Sequence, residues 1–105
     1  MEEIQKLKLK RPKLRNGENR VFRKGKILKY KKGEFVDLVD FTNNKELARV
    51  RIIDLKYKMY KNFEEIDISN SCERSFRSQG DLLSELGLNS YEDFVTIIIF
   101  QTNVS

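Results

Sequence analysis

Phe94-Val95-Thr96-Ile97-Ile98-Ile99-Phe100 is the stretch that decides the fold. Its residues are aromatic or β-branched, types that favour extended backbone. Successive side chains on a strand point to opposite faces. Here both the odd and the even positions are apolar, with Thr96 the one exception. Such a strand needs cover on both sides, so it is expected at the centre of a sheet. The run is strand length and far short of the roughly 20 residues that cross a bilayer as a helix.

Partners for this strand must come from earlier in the chain. From Lys6 to Lys10 the alternation is strict, with Leu7 and Leu9 on one face and three lysines on the other, which reads as a half-buried strand. Pro12 ends it, and Asn16-Gly17 signals a turn. Arg20 to Arg23 is a short strand with Val21 inside. Lys24-Gly25-Lys26 turns the chain, and Ile27-Leu28 adds a little strand before Lys32-Gly33. Glu34 to Phe41 is the next strand. Thr42 to Lys45 is a loop of hairpin length. Leu47 to Tyr57 then resumes, with Ala48, Val50 and Ile52 on one face and Arg49 and Arg51 opposite. Ile53 follows Ile52 directly, a phase shift that predicts a bulge. The order suggests a meander of three or four strands.

After Lys58 the pattern turns helical. Asn62 with Glu65 is a capping pair. Ser78 with Asp81 is another, ahead of Leu82, Leu83 and Leu86 at helical spacing, with Gly87 as a left-handed stop. Ser90 to Asp93 is a turn. The tail, residues 102–105, is expected to fray.

The expectation is therefore one α+β domain over residues 1–105, with its core at about 4–101. It would be a small mixed β-barrel of five to six strands with two to three short helices. At 105 residues the chain suits one domain. With 39% hydrophobic and 35% charged residues it is polar, but its apolar residues are clustered, which argues against disorder.

Histidine is absent, removing the commonest metal ligand and general base. Cys72 is the one cysteine, so no internal disulfide can form. No metal and no cofactor is expected. Met1 to Lys10 has no apolar core of a signal peptide, and no segment suits a membrane. The expected location is the cytoplasm, or a host's cytoplasm for a viral gene.

Charge is sharply divided. Residues 1–33 hold 13 Lys and Arg against 3 Glu, and the remainder is net acidic. Lys6, Lys8 and Lys10 form a row that can follow a phosphate backbone, and Phe22, Tyr30 and Tyr57 could stack on unpaired bases. A lysine-lined strand also protects a sheet edge. Arg23 tracks Val21 toward the interior, where it can fork onto a phosphate or pair with Asp37, Asp40 or Glu73. Cys72 beside Arg74 reads as an ordinary small residue rather than a nucleophile.

Several phrases together resemble the ASCH domain, a family of PUA-like β-barrels. They are Leu7 to Lys10 with Gly17 and Arg20 to Arg23, then Tyr30-Lys31-Lys32-Gly33-Glu34, then Ala48 to Leu55 running on to Glu65, and Leu82-Leu83-Ser84-Glu85-Leu86-Gly87-Leu88 before the last strand. The resemblance implies a barrel with a cleft by the first strand pair and a link to RNA. Some relatives are amidohydrolases acting on acetylated cytidine, and others are nucleases or RNA binders. The amidohydrolase pattern Gly-x-Lys-Thr-x-Thr-x-Arg keeps its arginine at Arg23. Its lysine falls on Glu18 and its second threonine on Val21. Glu73 matches a family acid.

The reading that results is an RNA-binding module lacking amidohydrolase catalysis. Its contacts would be Lys10, Arg11, Lys13, Arg15, Arg20, Arg23, Lys24 and Lys26. DNA is the alternative nucleic acid. A nucleoside- or RNA-processing enzyme using Glu73 and Arg23 is the second reading, and a viral or regulatory factor with a protein partner the third.

Overall fold

A computed structural model describes residues 4–65, 67, 71–72, 84 and 86–102. Five strands lie in chain order: β1 (Gln5–Leu9), β2 (Gly17–Lys24), β3 (Phe35–Asp40), β4 (Glu46–Met59) and β5 (Phe94–Thr102). They form one open mixed sheet in the order β1-β3-β4-β5-β2.

β5 sits between β4 and β2 and is buried from Val95 to Phe100, as its two apolar faces demand. Each face has its own core. On one side Ile98 and Phe100 pack with Leu7, Leu9, Val21, Val36, Leu38, Val50 and Ile52. On the other, Val95, Ile97 and Ile99 pack with Phe22, Tyr60, Phe63 and Leu88. Each such side chain contributes about 1.5–3 kcal/mol on full burial, so the strand alternations are what hold the sheet together.

The expected α+β barrel with two to three helices is corrected: the described residues are 53% strand and 7% helical. Among the described residues outside the sheet, the side chains packed over the Ile97 face of β5 come from short turns and irregular chain. Asn62, expected to open a helix, is instead the last residue of a 3-10 turn, Tyr60–Asn62, and Phe63 after it is extended. Tyr60 and Phe63 face the core here, and that burial overrides the local capping signal. Leu82 and Leu83 lie outside the described residues. Gly87 does take the left-handed conformation, φ 68°, and its N–H reaches the Ser84 carbonyl at 3.1 Å.

The sequential meander is also corrected. β1 runs parallel to β3, and β2 crosses to the far side to pair antiparallel with β5. Val21 and Phe22 explain the crossing. Both are fully buried on opposite faces, and β5 is the strand that offers an apolar neighbour on each face, Ile98 and Ile97. Ile27-Leu28 adds no strand; Leu28 is exposed and Ile27 is fastened by its N–H to Thr96 Oγ1 at 2.9 Å. The bulge after Ile52 appears as expected. Thr102, expected to fray, belongs to β5, where its hydroxyl donates to the Arg15 carbonyl at 2.7 Å.

The sheet curls so that its edges, β1 and β2, approach. The seam is closed by side chains rather than by a ladder. The carbonyl of Lys8 accepts from Arg23, and that of Lys6 from Tyr30 Oη at 3.2 Å. Residues 71–72 lie along the edge of β2, Cys72 accepting from Lys13 N–H at 2.7 Å and donating to the Arg20 carbonyl at 3.2 Å. Cys72 is fully buried in the first core, as a small packing residue. Among the described residues, no helix is long and apolar enough to cross a membrane.

Candidate nucleic-acid interface

The outer face of the sheet is covered over β5, β2 and the later part of β4 by the second core and Asp67, and carries exposed side chains over β1, β3 and the start of β4. The register sets what the open part displays. Lys6 lies beside Asp37 and Asp37 beside Arg49, while Phe35 lies beside Arg51. Lys6, Lys8, Phe35, Arg49 and Arg51 are all exposed. Arg49 Nε donates to Asp37 Oδ1 at 2.7 Å, and this bond, chiefly, holds the Asp37 carboxyl below its usual range. Arg49 and Asp37 thereby offset each other, Glu46 adds a negative charge near Arg49, and Lys6, Lys8 and Arg51 are the further cations of this face.

Beyond Leu9 the basic character continues. Arg11 adopts a left-handed φ of 46° and turns the chain ahead of Pro12. Lys10, Arg11, Lys13 and Arg15 are exposed along this loop, and the Lys10 ammonium lies 5.8 Å over the ring of Phe41. Asn19 holds the loop in place. It is fully buried, and its side chain bonds the N–H of Arg15 at 3.1 Å and the carbonyls of Arg15 and Gly17 at 3.0 and 3.2 Å.

The expected contact residues do not form one cluster. Lys10, Arg11, Lys13 and Arg15 lie at the end of the sheet where β2 starts. Lys24 and Lys26 lie at its other end, roughly 25 Å away along an eight-residue strand. Lys24 Nζ donates to the Gly87 carbonyl at 2.9 Å, and Lys26 Nζ stands 5.3 Å over Tyr57.

Arg20 and Arg23 have structural partners. The side chain of Arg20 is 7% exposed and is held by Glu18 and by the fully buried Asp67, to which Lys58 also donates at 2.9 Å. Burial pushes the Asp67 carboxyl upward, but the Glu64 N–H, the Lys58 bond and charge, and the Arg20 charge outweigh it and hold it low. Arg23 donates to the carbonyls of Phe22 and Lys8 across the seam. Of the expected stacking rings, Phe22 and Tyr30 are core residues and only Tyr57 is exposed.

Glu18 is an ion partner of Arg20, and Val21 is buried core. Glu73 lies outside the described residues. Among the described residues, no group of three or more His, Cys, Asp or Glu could hold a metal.

Sequence reasoning missed Phe35 and the two arginines as candidate contacts. The alternation of Arg49 and Arg51 did put them on the outer face. Their closeness to Phe35 and Lys6 depends on the β1-β3-β4 register, which no local pattern carries.

No family model matches the chain, and no curated protein or solved structure matches it.

Proposed function

We propose that the chain is an RNA-binding module that follows the phosphate backbone with the cations of β1 and the loop after it. One observation carries the reading: Lys6, Lys8, Lys10, Arg11, Lys13 and Arg15 run in sequence, all exposed, from the open sheet face into a buttressed loop. Alternate residues on a strand stand about 7 Å apart on one face. A row of this kind can neutralise successive phosphates and release their counterions. The likeness to ASCH phrases agrees with this reading without carrying it.

The test is fluorescence anisotropy with labelled RNA and DNA, single-stranded and duplex, over a salt series. The expected result is RNA binding that weakens steeply with salt. Lys10→Glu and Lys13→Glu should weaken it far more than Lys61→Glu, an exposed lysine outside the basic first third. These residues are preferred to Arg20 and Arg23 as probes because the two arginines also brace the fold. Equal losses from all three reversals would overturn the site, and absence of binding at low salt would overturn the function.

A further inference from the structure

Phe35 has no evident structural reason to be aromatic. It is 52% exposed, while its neighbour Val36 and the next inward residue, Leu38, are fully buried. Its cross-strand neighbour is Arg51. Arg51 Nε donates to the Gly33 carbonyl at 3.2 Å, an exposed bond that draws the guanidinium over the turn. Gly33 in turn donates its N–H to Ile52 at 2.7 Å, tying the turn to β4. The φ of 88° at Gly33 is one that side chains rarely adopt, so the turn that seats Arg51 needs glycine. Arg51 also lines an open depression of about 390 Å³, with Lys32, Gly33, Ile52 and Ile53, and so links that depression to its cross-strand neighbour Phe35.

We propose that Phe35, Arg51 and this depression form a stacking step for one unpaired base of a single-stranded nucleic acid, an inference that rests on the nucleic-acid reading above. Aromatic rings and guanidinium planes are the side-chain surfaces on which splayed bases stack. A paired base keeps both faces against its neighbours in the duplex and has none to give. Lys32 and Lys6 add positive charge for the flanking phosphates. Of the nearby carboxylates, one is offset by a cation and the other is held by β1. Asp37 is paired with Arg49, and the Glu34 carboxylate is turned toward β1, where it accepts from Gln5 Nε2 at 2.8 Å and keeps its charge. The volume is at the small end for a ligand site, which suits one nucleotide rather than a larger group.

Phe35→Ala, Phe35→Tyr and Arg51→Lys in the full chain test it, with a single-stranded oligonucleotide and a duplex of the same length as probes. Urea midpoints establish that each variant is folded. Phe35→Ala should weaken single-strand binding by about 5- to 150-fold, the usual range for loss of one stacked base. It should leave duplex binding and the salt slope unchanged. Phe35→Tyr should bind as wild type does. Arg51→Lys, which keeps the charge and loses the plane, should fall between. Unchanged single-strand affinity in Phe35→Ala overturns the stacking step while the phosphate-tracking reading stands. Equal losses on single strand and duplex overturn it too, since they show a general role for Phe35. A wild-type chain that binds neither probe overturns both, and if it binds a protein instead, the open face is a protein-docking surface.

Discussion

Arg20 and Asp67, 47 residues apart, form an ion pair with their side chains 7% and 0% exposed. Arg20 stands on β2 and Lys58 on β4, on either side of β5, and the Asp67 carboxylate bridges them. This is how the chain following the 3-10 turn is fastened over the second core.

Asp67→Ala should therefore be costly. It leaves a buried guanidinium with one exposed-side partner, Glu18, and an ammonium with none of its carboxylate contact. Breaking a buried pair from one side typically costs about 3–5 kcal/mol. Urea unfolding at neutral pH should show a loss of that order, a large share of the stability of a small domain.

The same carboxyl makes stability depend on acid. Its folded-state pKa lies below the unfolded value of about 3.9, so the folded chain binds fewer protons. The contribution is present above that unfolded value and is lost as pH falls through the folded one. Asp37, held low by Arg49, shifts in the same direction. Urea midpoints measured from about pH 6 down to pH 2.5 should fall at the acid end in wild type and fall less steeply in Asp67→Asn. Parallel curves would show that Asp67 is not the carboxyl responsible.

Asn19 and Thr102 should behave as one unit. Asn19 bonds the main chain of Arg15 and Gly17, and Thr102 Oγ1 donates to the same Arg15 carbonyl. Asn19→Ala should cost about 1–3 kcal/mol, the usual penalty for stranding buried polar groups. With Thr102→Val the two losses should be non-additive in a double-mutant cycle, because they share an acceptor. Amide exchange at Arg15 should quicken in both.

Thr96 is the polar exception in the central strand. It is fully buried, accepts from the Ile27 N–H at 2.9 Å and donates to the Gly25 carbonyl at 2.7 Å. Thr96→Val keeps the shape and strands both main-chain groups, so a loss of about 1–3 kcal/mol is expected. The Ile27 amide should lose its exchange protection. The core on either side should keep its own.

Charge reversal has a second readout besides affinity. Each phosphate contact removed should flatten the plot of log affinity against log salt by about 0.7 for a single strand and about 0.9 for a duplex. Lys10→Glu and Lys13→Glu should each show this, whereas Phe35→Ala should not.

Part of this protein is written in local pattern. Lys6 to Lys10 alternate, and Leu7 and Leu9 are buried while Lys6 and Lys8 are exposed. Phe94 to Phe100 is apolar on both faces, and β5 is covered on both. Gly87 and the turn at Ser90 to Asp93 follow from residue chemistry within a few positions, the N–H of Asp93 reaching the Ser90 carbonyl at 3.2 Å. The division of charge, and with it the expectation of a polyanionic partner, is likewise a property of the chain alone.

Strand order was not legible. Nothing near β1 says that it runs parallel to β3, nor does β2 announce that β5 is its partner. Those choices depend on which distant apolar faces can be buried together, a matter of the whole curled sheet. Arg20 makes the point for single residues. Period two puts it on the face of Phe22, but whether that face meets water or a buried carboxylate is decided by Tyr60, Phe63 and Asp67 folding over it. Sequence by itself determined which residues alternate, where the chain turns and where positive charge concentrates, because these are short-range consequences of backbone geometry and residue chemistry. Only the tertiary structure decided which cations are consumed in holding the fold, and which stand beside Phe35 on an open face, because register and closure join residues that the chain keeps far apart.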